Sequence, residues 1–195
     1  DRAIALLLAD AAQASALGEL SAAGAALASE LWPGPLTLVL PARQGTGLPP
    51  VLTGGSATIG VRLPDHPAPR ALAAAVGPLP TTSANLSGRP DPVEAGIVVD
   101  ELGGGIDLVL DGGPTAGSRP STVVDLTVDP PGILRVGDID EARIRAVLAA
   151  VVVHATAPNA SPATHPAFGG ASSRFRHDPD RPPHDPPGAG CRHRR

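Results

Sequence analysis

The most informative stretch of the sequence is residues 79–90, which read Leu-Pro-Thr-Thr-Ser-Ala-Asn-Leu-Ser-Gly-Arg-Pro. It follows the apolar stretch 71–79. Hydroxyl and amide side chains occupy five of the seven positions from residue 81 to residue 87. Such side chains compete with the backbone for hydrogen bonds, and they therefore disfavour a helix interior. They suit a strand end that runs into a turn, where side chains and free amides converge on a ligand. Taken alone, an ordinary turn closed by Gly88 and Pro90 is the simpler interpretation.

On both sides of this stretch, short apolar runs alternate with helical patterns, and Gly and Pro mark the turns between them. Strands are predicted over residues 3–9, 36–40, 57–63, 79–81, 106–110, 121–126 and 132–136. Helices are predicted over residues 11–31 (two helices, interrupted at Gly18 and Gly24), 68–76, 91–102 and 139–151, with caps at Asp10, Asp91 and Asp138. This alternation predicts an α/β fold with a twisted sheet.

Composition divides the chain into a domain over residues 1–151 and a tail over residues 152–195. The tail holds eight prolines and five of the six histidines, and it lacks apolar periodicity, so we expect it to be disordered. Its histidines stand at positions 154, 165, 177, 184 and 193, without the tight spacing of a metal site. The sequence therefore predicts no metal site.

The charge pattern limits the classes of partner. All fifteen cationic side chains are Arg, so no lysine is available to bind a phosphate or a carboxylate. Residues 1–150 carry nine Arg against sixteen Asp and Glu, a balance of −7, which argues against a broad nucleic-acid face. The single Cys191 excludes an intramolecular disulfide. No apolar run reaches the roughly 18 residues of a membrane span, and we predict a cytoplasmic protein.

Four short segments carry candidate binding groups. They are Thr58 and Arg62 on one strand face, the group Thr81, Ser83 and Asn85, residues 118–122 around Ser121, and Arg135. A guanidinium is a planar, permanently charged fork that fits a carboxylate or a phosphate. Each segment also has a purely structural interpretation: a surface ion pair for Arg62, turn chemistry for the hydroxyls, and a partly buried structural side chain for Arg135.

Several kinds of active site are excluded. The chain contains neither a Walker loop nor a dinucleotide fingerprint. His66 is the only histidine of residues 1–151, so neither a Ser-His-Asp triad nor general acid–base catalysis by histidine is expected. Arginines, hydroxyls and backbone amides instead suit the positioning and charge stabilisation of a phosphorylated ligand.

Five motifs stand in a fixed order along residues 3–150: Trp-Pro-Gly-Pro-Leu-Thr at 32–37, Thr-Ile-Gly-Val-Arg-Leu-Pro at 58–64, Pro-Thr-Thr-Ser-Ala-Asn-Leu-Ser-Gly at 80–88, Ser-Thr-Val-Val-Asp at 121–125, and Ile-Leu-Arg at 133–135. In this order the motifs resemble the YrdC-like family of L-threonylcarbamoyladenylate synthases. The resemblance implies an open, twisted, mixed sheet around a concave site. It also implies a reaction that joins L-threonine, bicarbonate and ATP, with Mg²⁺, into threonylcarbamoyl-AMP and pyrophosphate.

The same resemblance assigns roles to individual residues. ATP would be bound by Thr58, Ser83, Asn85 and Arg135. L-Threonine would be bound by Arg62, Thr81 and Ser121. No catalytic residue is assigned. The product would pass to the tRNA threonylcarbamoyl-transfer proteins that make threonylcarbamoyladenosine (t6A).

The chain also departs from the family pattern. The family's N-terminal segment, with a threonine-rich strand and a Lys-Gly-Arg-Pro motif, precedes the point where this sequence starts, and Val136 stands where proline is usual. We therefore expect a truncated chain that lacks part of its own site and one or more sheet strands, and that is weak or inactive. Two alternatives remain open. One is a non-catalytic module that binds double-stranded RNA. The other is the carbamoyl-AMP-forming domain of hydrogenase-maturation carbamoyltransferases, whose acylphosphatase and zinc-finger regions are not visible here.

Overall fold

The computed structural model describes residues 4–115 and 119–156, with side chains as far as residue 152. Six strands lie within these residues: Ala5–Leu7 (β1), Leu36–Pro41 (β2), Thr58–Arg62 (β3), Leu79–Thr81 (β4), Thr122–Asp125 (β5) and Gly132–Arg135 (β6). The helices are Ala11–Leu17 (α1), Ala22–Leu31 (α2), Pro50–Thr53 (α3), Pro67–Val76 (α4), Ala95–Leu102 (α5) and Glu141–Thr156 (α6), with a 3₁₀ turn at Gly103–Gly105. None of these helices is long and apolar enough to cross a bilayer.

The six strands form one mixed sheet in the order β4-β1-β3-β2-β5-β6. The pairs β1–β3 and β2–β5 are parallel, and the other three pairs are antiparallel. Helices flank this sheet, so the predicted α/β class and mixed sheet are confirmed.

One face of the sheet, which we call the core face, carries the hydrophobic core. Alternate residues of a strand point to opposite faces, and β2 and β3 bury one set completely: Leu36, Leu38, Leu40, Ile59 and Val61. Side chains of α2 and α6, including Leu27 and Ile144, complete this cluster. Full burial of a leucine or isoleucine contributes about 1.5–3 kcal/mol relative to exposure, so this face supplies most of the driving force for folding.

The opposite face, which we call the polar face, carries the other set of side chains. On β2 and β3 this set consists of Thr37, Val39, Pro41, Thr58, Gly60 and Arg62. Strand register extends the same face to Ala5 and Leu7 of β1, Thr81 of β4, and Val123 and Arg135 of the β5–β6 pair. The hydrophobic pattern of the core face therefore also determines which residues meet on the polar face.

The first two helices follow the sequence prediction with one difference. Asp10 caps α1, because its carboxylate accepts a hydrogen bond from the Gln13 amide at 3.1 Å. The chain breaks at Gly18 as expected, but Gly24 lies inside α2 and does not interrupt it. A Cβ at Gly24 would lie 2.7 Å from the Leu126 side chain, so this glycine is explained by close packing.

The predicted helix 91–102 begins later, at Ala95, and Asp91 does not cap it. The preceding residues are held in irregular structure, because the Asn85 side chain donates to the Arg89 carbonyl and the Val93 carbonyl accepts from the Thr115 amide. The strand predicted at 106–110 is also wrong. No described strand pairs with this segment, and its side chains are largely exposed.

The last helix begins at Glu141, and Asp140 rather than Asp138 caps it by accepting from the Arg143 amide at 2.7 Å. The amides of Gly137 and Ile139 donate to the Thr122 hydroxyl and the Ile139 carbonyl accepts from it, so residues 137–139 are held against β5 ahead of the helix. It runs on to Thr156, beyond the predicted end at residue 151. From residue 157 onward the predicted tail lies outside the described residues, as does Ser118.

Candidate functional site

Two arginines and two hydroxyls meet on the polar face where β2, β3, β5 and β6 adjoin. Arg135 donates from Nε to the Ser121 carbonyl at 3.0 Å and from Nη2 to the Ser121 hydroxyl at 3.1 Å. The Ser121 hydroxyl shares a hydrogen bond of 2.8 Å with Thr37, and both residues are more than 90% buried. We call Thr37, Arg62, Ser121 and Arg135 the guanidinium cluster.

Arg62 is half-buried at the end of β3 and is held by the segment that follows α2. Its Nε donates to the Gly34 carbonyl at 3.1 Å, and the Gly34 amide donates to the Leu63 carbonyl at 2.9 Å. A Cβ at Gly34 would lie 2.4 Å from the Leu31 carbonyl oxygen, so only glycine fits this close approach. Among the described residues, no acceptor bonds the two terminal nitrogens of Arg62, and both are left to bind a ligand.

The electrostatics of this site favour an anion. Burial lowers the pKa of Arg62, Asp138 opposes that shift, and the neighbouring Arg135 lowers the pKa further. A guanidinium nevertheless stays protonated in proteins. Within the part of the chain that is described, neither arginine has a carboxylate oxygen within 4.0 Å. Two adjacent cations, one of them desolvated and neither ion-paired, form a site suited to a carboxylate or a phosphate.

The β5–β6 connection fixes the position of Arg135 relative to Ser121. The buried Thr122 hydroxyl donates to the Ile139 carbonyl at 2.5 Å and accepts from the amides of Gly137 and Ile139, at 2.9 and 3.2 Å. A Cβ at Gly137 would lie 2.0 Å from the Pro120 carbonyl oxygen. The backbone after β6 therefore packs directly against the start of β5, and this packing requires glycine.

Thr58 and Thr81 share the polar face with Arg62. The Thr81 hydroxyl, on the edge strand β4, donates to the Ala5 carbonyl at 3.1 Å. Thr58, at the opposite end of β3 from Arg62, shares a hydrogen bond of 2.8 Å with the Ser56 hydroxyl. Each hydroxyl uses its proton on a structural partner and can still accept two hydrogen bonds, because the Ser56 proton is itself donated to the Thr53 carbonyl.

Ser83 and Asn85 lie after β4 in a segment that we call the Ser/Asn turn, residues 82–90. The Ser83 hydroxyl donates to the Asn85 side-chain oxygen, and the Asn85 amide group donates to the Arg89 carbonyl at 2.5 Å. Ala84 between them has a φ of +57°, a left-handed conformation that is rare for a residue with a Cβ. The turn is fixed to α5 through Glu101, whose carboxylate accepts from the Leu86 amide at 3.2 Å.

The structure thus brings together three of the sequence-predicted site residues, Arg62, Ser121 and Arg135. Thr58 and Thr81 share their face, whereas the described hydrogen bonds of Ser83 and Asn85 stay within the Ser/Asn turn. Sequence reasoning missed Thr37 and Asp138 as members of the site. One signal was available for Thr37, because it is the only polar residue of β2.

A metal centre does not emerge from the described residues. They contain no group of three His, Cys, Asp or Glu side chains placed to hold an ion.

Residues 1–137 match the Sua5/YciO/YrdC family, which carries the description "Telomere recombination". The chain belongs to the Sua5/YciO/YrdC family. Among relatives, a threonylcarbamoyl-AMP synthase of Pyrococcus abyssi is 41% identical over 129 residues, 66% of this chain and 37% of that protein. One from Bacillus subtilis is 42% identical over 128 residues, 65% of this chain and 37% of that protein.

Solved structures of the Sua5/YciO/YrdC family share the fold. Sua5 of P. abyssi, crystallised with L-threonine, superposes with a TM-score of 0.71 at 38% identity, over 75% of this chain and 43% of that one. YciO of Escherichia coli superposes with a TM-score of 0.64 at 30% identity, over 71% of this chain and 68% of that one. The chain spans just over a third of the P. abyssi and B. subtilis synthases that it matches.

Proposed function

We propose that this chain acts as an L-threonylcarbamoyladenylate synthase, which forms threonylcarbamoyl-AMP and pyrophosphate from L-threonine, bicarbonate and ATP. The observation that carries the proposal is the pair Arg62 and Arg135, two adjacent guanidinium groups on one sheet face with no carboxylate oxygen of the described residues within 4.0 Å. The names of the two relatives and the L-threonine in the P. abyssi Sua5 crystal support this choice of substrate.

L-Threonine offers a carboxylate and a hydroxyl, and the guanidinium cluster matches the carboxylate. Both terminal nitrogens of Arg62 would hold the two carboxylate oxygens in parallel, the geometry in which arginine binds most strongly. Ser121 and Thr81 would supply the remaining hydrogen bonds to the amino acid. Because Arg62 is already fixed through its Nε, little side-chain freedom would be lost on binding.

We assign ATP to Arg135, Thr58, Ser83 and Asn85. In the reaction, an oxygen of the threonine carbamate forms a bond to the α-phosphorus while the bond from that phosphorus to the pyrophosphate oxygen breaks. Negative charge accumulates on the α-phosphoryl oxygens, and Arg135 would offset it without reorganising, because Ser121 holds it in place. Mg²⁺ would enter with ATP as part of the substrate and neutralise further phosphate charge.

The product is a mixed anhydride that must be used by a second activity. We propose that tRNA threonylcarbamoyl-transfer proteins consume it in the cytoplasm to make t6A. Direct RNA binding by residues 1–150 is the weaker alternative, because their charge balance of −7 opposes contacts with phosphates. Salt-dependent RNA binding by the chain would favour that alternative.

The first test is binding of L-threonine, measured by isothermal titration calorimetry on the 195-residue chain and its Arg62→Ala variant. Loss of two charge-assisted hydrogen bonds should weaken binding about 100-fold, equivalent to about 3 kcal/mol. Arg70→Ala is the matched control: Arg70 is also half-buried and also donates from Nε to a backbone carbonyl, that of Ala9 at 3.2 Å. Equal affinity in the wild type and in Arg62→Ala would overturn the assignment.

The second test is chemical turnover. Pyrophosphate release should require L-threonine, bicarbonate and ATP together, and Arg62→Ala should abolish this threonine-dependent release. Arg70→Ala should retain the threonine-dependent release. Pyrophosphate release by the wild type that is the same with and without L-threonine would exclude the proposed reaction.

A further inference from the structure

We infer that Thr37 is a positioning residue of this site: it donates its hydroxyl proton to Ser121, so that Ser121 holds Arg135 and keeps its own proton for the ligand. The inference rests on the proposed function and deepens it, since it names a residue that the resemblance did not assign to either substrate. Thr37 itself touches neither substrate in this proposal.

The first step is the geometry of Thr37. It is 6% exposed in a strand whose other residues are five apolar ones, and its hydroxyl lies 2.8 Å from that of Ser121, 84 residues away. By the β2–β3 register, in which Leu38 faces Val61, Thr37 stands beside Arg62. A buried hydroxyl at this position costs desolvation, which one hydrogen bond to Ser121 offsets.

The second step is the direction of that hydrogen bond. The Ser121 oxygen already accepts a proton from Nη2 of Arg135 at 3.1 Å, because a guanidinium only donates. A hydroxyl oxygen accepts two hydrogen bonds and donates one. If Thr37 donates as well, both acceptor positions of Ser121 are filled and its own proton remains for an anionic ligand. If Ser121 donated to Thr37 instead, no Ser121 proton would remain for the ligand.

The third step is the consequence for Arg135. Arg135 is exposed at the edge strand β6, and its two described hydrogen bonds both end on Ser121. Nothing else among the described residues fixes its guanidinium. The order Thr37, Ser121, Arg135 is therefore a chain of contacts that sets the spacing between Arg135 and Arg62.

The test compares Thr37→Val, which keeps the shape and removes the hydroxyl, with Thr37→Ser, which keeps the hydroxyl. Exchange of the Arg135 Nη2 protons, which donate to the Ser121 hydroxyl, is followed by NMR and reports the chain of contacts without any ligand. Thr37→Val should speed this exchange about tenfold and weaken L-threonine binding by a similar factor, as expected for one lost hydrogen bond. Thr37→Ser should restore both values to within about twofold.

Two controls separate positioning from packing. Val39→Ala removes packing from the same face of β2 and should leave Arg135 exchange unchanged, because it breaks no hydrogen bond. In a Ser121→Ala background, Thr37→Val should have no further effect, since the partner through which it acts is absent. If Thr37→Val does not fold by circular dichroism, Thr37→Ala takes its place.

The inference is overturned if Thr37→Val leaves Arg135 exchange unchanged, if Thr37→Ser fails to restore it, or if the two substitutions add in the double variant. Failure of the proposed function gives a different result. The wild type would then not bind L-threonine, while Arg135 exchange would still respond to Thr37→Val.

Discussion

The guanidinium cluster and the Ser/Asn turn are held together over very different distances along the chain. Hydrogen bonds made by the cluster residues join partners 14, 28 and 84 positions apart. Those that shape the turn join residues 2, 4 and 5 positions apart, and Glu101 supplies its described bond to α5. The cluster therefore exists only when the sheet exists, whereas the turn closes on itself.

This difference separates stability from adaptability within one candidate site. Groups fixed by sheet register are preorganised, and they lose little freedom when a ligand binds. Groups fixed by local bonds at an exposed turn open without global unfolding. We therefore expect substitutions around the cluster to change the stability of the whole domain, and substitutions around the turn to act locally.

The largest effect is expected for Gly137→Ala. The new Cβ would lie 2.0 Å from the Pro120 carbonyl oxygen and 2.7 Å from the Thr122 amide nitrogen, so backbone atoms must move. We expect a loss of about 3 kcal/mol in the free energy of unfolding, measured by urea denaturation. Arg135 would be displaced with β6, and L-threonine binding should weaken as well.

Gly112→Ala is the control, because no atom lies within 4 Å of its added Cβ. It should change the free energy of unfolding by less than about 0.5 kcal/mol. If Gly137→Ala proved equally harmless, the β5–β6 connection would be able to shift, and the cluster would not depend on rigid packing.

Much of the fold was predictable from the sequence, because several strands are apolar runs bounded by Pro or Gly. The strands at 36–40 and 79–81 follow from this pattern with nearly the observed ends. Residues 106–110 have the same local character but no partner strand among the described residues. Pairing is a property of the whole sheet, so a local pattern cannot reveal its absence.

The site was predictable in part, for a related reason. Arg62 and Arg135 stand out by residue type, because a charged fork in an apolar strand needs an explanation. Thr37 resembles an ordinary strand residue, and its bond to Ser121 depends on the register of β2 with β5. Asp138 precedes an apolar helical pattern and so predicts a cap, whereas the hydrogen bonds that hold residues 137–139 against Thr122 come from another strand and leave no local signal.

A smaller effect is expected for Glu101→Ala, which releases the Ser/Asn turn from α5. The variant loses the bond from the Leu86 amide and a 3.8 Å ion pair with Arg89. This ion pair is long and its Arg89 side is exposed, so it contributes little, and the free energy of unfolding should fall by less than about 1 kcal/mol. Amide exchange at Leu86, measured by mass spectrometry, should nevertheless accelerate, and ATP binding should weaken more than L-threonine binding.

Glu94→Ala is the control at the N-cap position of the same helix, because the Glu94 side chain makes no capping hydrogen bond. It should alter neither exchange at Leu86 nor ATP binding. If Glu101→Ala destabilised the domain as strongly as Gly137→Ala, the turn would be part of the cooperative fold and the contrast with the cluster would fail.

The smallest effect, opposite in sign, is expected for Ala84→Gly. Ala84 has a φ of +57°, where a Cβ costs about 1–2 kcal/mol and glycine costs nothing. Part of this gain is offset because glycine makes the unfolded chain more flexible, so we expect a net stabilisation of about 0.5 kcal/mol. For a domain of this size the melting temperature should rise by about 1–2 °C.

Ala74→Gly tests the sign of this change, because Ala74 is an exposed position inside α4, where glycine should cost about 1 kcal/mol. Destabilisation by Ala84→Gly would mean that the left-handed conformation carries no strain. Stabilisation together with weaker ATP binding would mean that the strained backbone of Ala84 contributes to nucleotide binding. A rigid alanine at this φ would then hold Ser83 and Asn85 in the orientation that the nucleotide needs, and the turn would be preorganised by local strain where the cluster is preorganised by the sheet.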